Sequence, residues 1–269
     1  MKTIKPFIRF VGGKSWYLKQ QIKLFPEKIN NYHEPFLGSG SIFFYLKASK
    51  LITKTAYLSD INSELITTFQ EVKANTNQLV TKLSKLENDR ETFYKVRDQR
   101  FTANLDKATR FLYLNRTSFG GIYRVNKNGD FNVPYGNRQY KTFIDVENVF
   151  NCASILKDET KLDSHCFTDK GYNISENDFF CLDPPYLGEN IPFNRYNSKK
   201  FGATEVAFLL NLINEINKKN AKYLLFVGDN KELISELHDY GYHQTLSKTN
   251  NLSFTGPSRN LSETIIKNY

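Results

Sequence analysis

Short runs of apolar residues recur along the chain, and each is followed at once by turn-forming or polar residues. Four of them stand out: residues 32–36 before Gly38-Ser39-Gly40, residues 55–59 before Asp60, Phe179–Leu182 before Asp183-Pro184-Pro185-Tyr186, and residues 223–227 before Gly228-Asp229. Runs of this length are typical of buried parallel strands. Ligands of open α/β sheets bind at the carboxyl ends of such strands, so we expect the four ends to form one site.

Helical patterns follow the first two of these runs. Residues 42–48 form an apolar, helix-like stretch, and Asn62 and Ser63 are placed to cap a helix after the second run. Both regions therefore predict a strand, a loop and a helix in succession.

The chain changes character from about residue 62 to residue 150. It carries charged helical segments, such as residues 79–100, and then a hairpin pattern over residues 124–133 that alternates around Asn128-Gly129. Asn-Gly is the dipeptide that best suits a tight turn. We therefore expect residues 62–150 to form an insertion, with residues 1–61 and 151–269 making up one discontinuous main domain.

Composition narrows the class of protein. The 269 residues include 22 Phe and 16 Tyr and carry a net charge of +9, so the chain should fold, and a polyanionic partner becomes more plausible without its location being fixed. The three cysteines show none of the close pairing that metal or redox sites use, so we expect no metal site and no disulfide framework. A signal peptide and an 18-residue apolar span are both missing from the sequence, which predicts a cytoplasmic protein without membrane contact.

The Gly38-Ser39-Gly40 loop and Asp60 together suggest a nucleotide-like ligand. Glycines after a strand let the backbone approach such a ligand, and an acidic residue about 20 positions later can bind ribose hydroxyls. The third glycine of the dinucleotide fingerprint is missing, which argues against a pyrophosphate cofactor and leaves room for a cofactor with an adenosine but no phosphate, such as S-adenosylmethionine. An ordinary tight turn is the alternative interpretation.

The motif Asp183-Pro184-Pro185-Tyr186 is more specific. Two prolines after a buried strand remove backbone donors and aim the preceding carboxylate and carbonyl outward. A strand-terminating turn with a capping aspartate is the alternative interpretation.

Asp183-Pro184-Pro185-Tyr186 with an upstream Phe36-Leu37-Gly38-Ser39-Gly40 resembles the amino-methyltransferases of DNA, and the order of segments is similar to that of the DNA adenine methylase (Dam) family. The resemblance covers nearly the whole chain. It also includes the opening segment 6–14, the segments 115–119 and 129–136, Phe193 and Tyr196, and the closing residues Arg259, Glu263, Asn268 and Tyr269.

The resemblance implies a catalytic motif of Asp183, Pro184, Pro185 and Tyr186. Asp183 and the Pro184 carbonyl would accept hydrogen bonds from the amino group of adenine and aim its nitrogen at the methyl donor. Tyr186 would stack on the adenine, which has to leave the duplex because its amino group lies among paired bases.

The resemblance also implies S-adenosylmethionine as methyl donor, with S-adenosylhomocysteine as product. The cofactor-binding residues it implies are Phe10, Lys14, Phe36, Gly38, Gly40, Asp60, Asp169 and Asp183. Phe10 departs from the family pattern, which usually has Trp there, so a hydrophobic contact survives but the indole N–H does not.

For double-stranded DNA, the resemblance places Arg124 where the family contacts guanine and Ile122 and Pro134 where it meets a thymine methyl. Phe119 would wedge into the gap left by the flipped base, although Gly120 replaces a family asparagine. The other residues implied at the DNA are Asn132 in the hairpin and Arg116, Lys127, Arg138 and Lys141, which would meet phosphates or only solvent.

We therefore expect an α/β protein with a Rossmann-like, S-adenosylmethionine-dependent methyltransferase sheet and an inserted helical and hairpin target-recognition domain. It would act as a monomer on N6 of adenine in GATC or a GAT-containing site, in a bacterial or phage-infected cell. A cognate restriction endonuclease is one partner of such enzymes. Alternatives are an amino-methyltransferase of cytosine N4 or protein glutamine, a DNA-binding relative without catalysis and, weakest, a nicotinamide oxidoreductase.

Overall fold

The structure is a computed structural model that describes residues 4–10, 12–20, 25–137, 142–185, 201–228, 231–250 and 259–269. Its strands are β1 (Tyr32–Glu34), β2 (Ala56–Asp60), β3 (Thr160–Ser164), β4 (Phe179–Leu182), β5 (Lys222–Val227), β6 (Tyr242–Asn250) and β7 (Arg259–Lys267). Its helices are α1 (Ser15–Gln20), α2 (Ser41–Ala48), α3 (Ser63–Ala74), α4 (Thr76–Leu83), α5 (Arg90–Asp98), α6 (Asn104–Thr117), α7 (Val146–Lys157), α8 (Ala203–Lys218) and α9 (Lys231–Glu236). Short 3₁₀ turns cover Phe119–Gly121 and His238–Tyr240.

The described strands form one sheet in the order β3-β2-β1-β4-β5-β7-β6. The four strands predicted from apolar runs are confirmed, and they pair in parallel, with Tyr32 of β1 opposite Ala56 of β2 and Phe179 of β4. Strand β3 pairs in parallel with β2, whereas β7 runs antiparallel to both β5 and β6. The sequence analysis missed β3, β6 and β7, because none of them is a continuous apolar run.

Both faces of the central strands are buried. Along β4 and β5, alternate side chains enter two separate clusters: Phe179 and Phe226 join the cluster that includes α2, α3 and α6, and Phe180 and Leu225 join the one under α8. A parallel sheet covered by helices on both sides explains why these strands read as unbroken apolar runs. The predicted Rossmann-like α/β architecture is therefore confirmed.

The insertion region has the predicted helices and turn, with one correction. Asn62 caps α3 by accepting a hydrogen bond from the N–H of Leu65 at 3.1 Å, as predicted. Residues 79–100 do not form one helix: α4 ends at Leu83, and α5 begins after Asp89, whose side chain caps it. The Asn128-Gly129 turn lies at the tip of a short antiparallel pairing.

Helix α3 packs on α6, α7 and β3, and its Leu65 and Phe69 belong to the same buried cluster as Tyr32 of β1. The expected boundary after Phe150 falls inside α7. The division into a main domain and an inserted domain stays a prediction.

Among the helices of the described ranges, none combines the length and apolar character that a membrane span needs.

Candidate active site

Three neighbouring strands deliver the predicted site residues to one edge of the sheet. The Gly38-Ser39-Gly40 loop follows β1, Asp60 ends β2, and Asp183 follows β4. The N–H of Gly38 donates to Oδ2 of Asp60 at 3.0 Å, so loop and acid are in direct contact although 22 residues separate them. The structure thus brings these side chains together as predicted, while Asp229, at the end of β5, lies outside the described ranges.

Lys14 occupies the centre of this edge. Its Nζ lies 2.8 and 2.7 Å from the two carboxylate oxygens of Asp183, 3.1 Å from Glu263 and 2.9 Å from the carbonyl of Gly12. Only 4% of the Lys14 side chain is exposed. An ammonium has three protons, so these four oxygens compete for them. Lys14 can therefore loosen from Asp183 and keep partners at Glu263 and Gly12.

Asp183 is held as a partly accessible carboxylate. Burial raises its pKa to about 6, and Glu263 adds to that rise, whereas the ammonium of Lys14 opposes it. About a quarter of its side chain (24%) still faces solvent, so a substrate can reach it. Pro184 is buried, Pro185 is exposed, and Tyr186 lies outside the described residues. At neutral pH Asp183 can accept hydrogen bonds, as its predicted role requires.

The loop after β1 forms a cradle beside Asp60. At Gly38, φ is +50°, and an added Cβ would lie 3.2 Å from the ring of Phe10, so a larger residue would close this space. Asp60 also accepts from the N–H of Asn62 at 2.9 Å, and burial raises its pKa. Each carboxylate oxygen can accept more than one hydrogen bond. Asp60 therefore keeps acceptor capacity for a ligand hydroxyl.

Glu34, the last residue of β1, is a buried acid that the sequence analysis did not single out. It is 5% exposed and accepts a hydrogen bond from the hydroxyl of Tyr32 at 2.9 Å. Burial raises its pKa to about 8, and the charges of Asp183 and Asp60 push it the same way, whereas a hydrogen bond from the N–H of Phe43 lowers it. The signal was a charged residue at the end of an otherwise buried run.

The remaining cofactor candidates lie at the rim. Phe36 is half-buried and packs against Phe167, with ring centroids 4.9 Å apart, and against Phe201 at 6.5 Å. Asp169 lies two residues after Phe167 and uses Oδ2 to accept from the N–H of Cys166 at 3.0 Å. The structure thus places the loop of Asp169 against Phe36, while the carboxylate of Asp169 caps its own loop.

Within the described ranges, no group of three or more His, Cys, Asp or Glu side chains could hold a metal ion.

The predicted base-reading residues lie on one surface between the Phe119–Gly121 turn and the hairpin. The N–H of Phe119 donates to the carbonyl of Pro134 at 2.9 Å, and the side chain of Phe119 is 42% exposed. Arg124 is exposed, and its Nε donates to Oδ1 of Asn132 at 2.8 Å. Ile122 lies half-buried between the turn and Arg124.

Of the predicted phosphate contacts, the structure describes Arg116 and Lys127. Arg116 is half-buried, and its Nε donates to the carbonyl of Phe143 at 3.0 Å, so part of its guanidinium supports the fold. Lys127 is exposed in the hairpin turn. Arg138 and Lys141 lie outside the described residues, as do Phe193 and Tyr196. The side chain of Arg259 is not described either.

Comparisons with known proteins agree with this geometry. The family described as D12 class N6 adenine-specific DNA methyltransferase matches residues 10–250. The Type II methyltransferase M.CviBI of Paramecium bursaria Chlorella virus NC1A is 34% identical over 99% of this chain and 100% of its own length. The Type II methyltransferase M1.LlaDCHI of Lactococcus lactis subsp. cremoris is 30% identical over 99% and 96%. A DNA adenine methylase of Haemophilus influenzae is 29% identical over 87% and 83%.

Proposed function

Because the chain belongs to the D12 class of N6 adenine-specific DNA methyltransferases, we propose that it moves the methyl group of S-adenosylmethionine to N6 of adenine in a short double-stranded DNA sequence. Methyl transfer to adenine in DNA is the activity of the family. The observation that carries the proposal for this chain is the partly exposed carboxylate of Asp183, held by Lys14 next to the Gly38 cradle.

The residues at the strand ends suit S-adenosylmethionine as donor. A glycine at position 38 leaves the space beside Phe10 open, and Asp60 has free acceptor capacity for ribose hydroxyls. Lys14 could bind the carboxylate of the methionine moiety, and Phe36 offers a half-buried aromatic face for the adenine ring. When bound, this donor supplies an electrophilic methyl group on a sulfonium.

Asp183 and the Pro184 carbonyl would bind the two amino hydrogens of the target adenine. Two acceptors placed in this way favour a pyramidal nitrogen, whose lone pair is no longer delocalised into the ring. Asp183 need not be a strong base, since the amino proton becomes acidic only as the methyl group is transferred; Asp183 would then accept that proton, and S-adenosylhomocysteine would be the leaving product. Lys14 keeps Asp183 ionised until the amino group arrives, and then retains Glu263 and Gly12 as partners.

The target adenine would be flipped out of the duplex to reach this edge of the sheet. Flipping costs a few kcal/mol of stacking and pairing. The exposed ring of Phe119 could fill part of the gap, and Tyr186, which lies outside the described residues, would stack on the flipped base.

For the target sequence we propose GATC or another site containing GAT. Arg124 would contact guanine through Nη1 and Nη2, in an orientation set by Asn132, whose Oδ1 accepts from Nε at 2.8 Å and whose carbonyl lies 3.5 Å from Nη2. Ile122 and Pro134 would contact a thymine methyl. The enzyme would act as a monomer, since one chain contributes every residue of the proposed site. The Type II methyltransferase names of two relatives make a cognate restriction endonuclease a proposed partner.

Methyl transfer from radiolabelled S-adenosylmethionine to duplex DNA, followed by nucleoside analysis, tests the proposal. We expect the label in N6-methyladenine. Label in N4-methylcytosine would contradict the proposed acceptor. If the folded chain binds S-adenosylhomocysteine and DNA but transfers no label, it is a binding relative without catalysis.

A further inference from the structure

Asn115, near the end of α6, joins two segments of the chain that lie far apart in sequence. Its side chain has no exposed surface (0%). Its Oδ1 accepts from the N–H of Arg9 at 2.8 Å, and its Nδ2 donates to the carbonyl of Arg9 at 2.6 Å. The same Nδ2 lies 3.4 Å from the carbonyl oxygen of Gly121. One amide thus holds both main-chain polar groups of Arg9 and reaches the turn before Ile122.

The two segments also touch each other directly. A Cβ added at Gly121 would lie 2.7 Å from Cδ of Arg9 and 3.3 Å from its Cβ, and φ at Gly121 is +67°. The side chain of Arg9 therefore packs on the bare backbone of the turn. A shift of the turn must therefore either displace Arg9 or break hydrogen bonds of Asn115.

On one side, this contact leads to the catalytic edge of the sheet. The residue after Arg9 is Phe10, whose carbonyl accepts from the N–H of Gly13 at 3.2 Å and whose ring borders Gly38. Lys14, which follows Gly13, holds Asp183. The main chain that Asn115 fixes thus lies in the same short segment as Lys14 of the cofactor site.

On the other side, the contact leads to the proposed base-reading surface. Gly121 closes the 3₁₀ turn that begins at Phe119, and its N–H donates to the carbonyl of Ser118 at 3.1 Å. Ile122 follows directly, and Arg124 comes two residues later. DNA that contacts these side chains would restrain the turn to which Asn115 is bonded.

We propose that Asn115 is a positioning residue that couples recognition of the target DNA to the cofactor site. This inference rests on the proposed function, because it takes the base-reading surface and the cofactor cradle as assigned there. Target DNA that restrains the turn also restrains Arg9 through Asn115, and Arg9 lies next to Phe10, whose ring borders Gly38 of the cofactor cradle. Coupling of this kind is reciprocal, so the DNA raises cofactor affinity by the same factor as the cofactor raises DNA affinity.

The coupling is measured by calorimetric titration of S-adenosylhomocysteine into the protein, with and without an unmethylated duplex that contains the motif that the enzyme recognises. In wild type we expect the duplex to raise affinity by a factor between about 5 and about 150, and in Asn115→Ala by less than about 2. Thr109→Val is the matched control, because Thr109 is another buried polar residue of α6 whose bond, to the carbonyl of Leu105, stays within the helix. This variant should lose stability but keep the wild-type factor.

If Asn115→Ala does not fold, Gly121→Ala tests the same connection from the turn, because its methyl group displaces Arg9. It should also lower the factor. A wild-type factor in either folded variant, or equal losses in Asn115→Ala and Thr109→Val, would overturn the inference. Absence of coupling in a wild-type protein that binds S-adenosylhomocysteine would overturn this inference alone. A wild-type protein that does not bind it would overturn the proposed donor and, with it, the coupling.

Discussion

Replacing Glu263 by Gln should shift the pH dependence of catalysis, because Glu263 shares Lys14 with Asp183. Protonation of Asp183 removes one of the charged partners of Lys14 and weakens the acceptor for the adenine amino group, so activity should fall as the pH drops through the Asp183 pKa of about 6. Glu263 helps to raise that pKa. Without its charge, Asp183 should stay ionised at lower pH.

The size of the shift follows from the distances. Nζ of Lys14 lies 2.7 Å from Asp183 and 3.1 Å from Glu263. The nearest oxygens of the two carboxylates are therefore at most about 6 Å apart. Two negative charges at that separation repel by about 3 kcal/mol at an effective dielectric constant of about 20. That energy corresponds to about two pKa units. The exposed quarter of Asp183 lets solvent screen part of it, so we expect a downward shift of about one pH unit.

The assay is kcat/KM for methyl transfer, measured from about pH 5 to about pH 9. The control is Glu215→Gln, which removes an exposed carboxylate that pairs with Lys218 on α8, and its profile should match wild type. The midpoint of the acidic limb should lie at lower pH in Glu263→Gln than in wild type and in Glu215→Gln. A limb that coincides with wild type, or moves upward, would show that Glu263 does not act on Asp183 through charge.

Three further predictions follow from the site. Arg124→Ala should lose about 1–3 kcal/mol of discrimination at one base position, measured as relative methylation rates of substituted duplexes, whereas Lys127→Ala should weaken all sequences alike; an unchanged profile for Arg124→Ala would move base reading elsewhere. Asp60→Asn should weaken S-adenosylhomocysteine binding roughly 10- to 100-fold by calorimetry, because a charged acceptor for ribose is lost, and wild-type affinity would remove Asp60 from the cofactor site. The folded state keeps Glu34 protonated up to about pH 8, whereas the unfolded chain releases that proton above about pH 4.5, so the free energy of unfolding of wild type should fall as the pH rises through this window. Glu34→Gln has no such proton, so its free energy of unfolding in urea, relative to wild type, should rise by about 1.4 kcal/mol per pH unit. A difference that stays constant with pH would contradict the assignment.

The strands that build the site could be predicted because both of their faces are buried. Burial on two sides leaves a continuous apolar run, and a polar residue at its end marks the edge of the sheet, as at Asp60 and Asp183. Strand β3, with the sequence TKLDS, is half-exposed and leaves no such run. Strands β6 and β7 pair with each other at the opposite side of the sheet, and their sequences mix polar and apolar residues throughout.

The break between α4 and α5 could also be read only with the structure in hand. Charged residues recur along residues 82–100, and nothing in the composition marks residue 84 as an end. Asp89 caps α5 by accepting from the N–H of Thr92 at 2.8 Å, but an aspartate among so many charged residues does not stand out as a cap.

The identities of the site residues were predictable in part from their motifs, but their connections were not. Lys14 and Asp183 are 169 residues apart, and Arg9 and Asn115 are 106 apart. Spacing along the chain carries no information about such contacts. Glu34 illustrates the same limit, because its unusual protonation depends on burial and on charges delivered by β2 and β4.

The most direct test of the account is to map methylated adenines in DNA from methylation-free cells that express either the wild-type chain or Asp183→Ala. We expect N6-methyladenine at one short motif with wild type and its loss with Asp183→Ala, although that variant should still fold. Methylation retained at more than about a tenth of the wild-type level would contradict the role of Asp183. No methylated adenine with the folded wild-type chain would contradict the proposed activity itself.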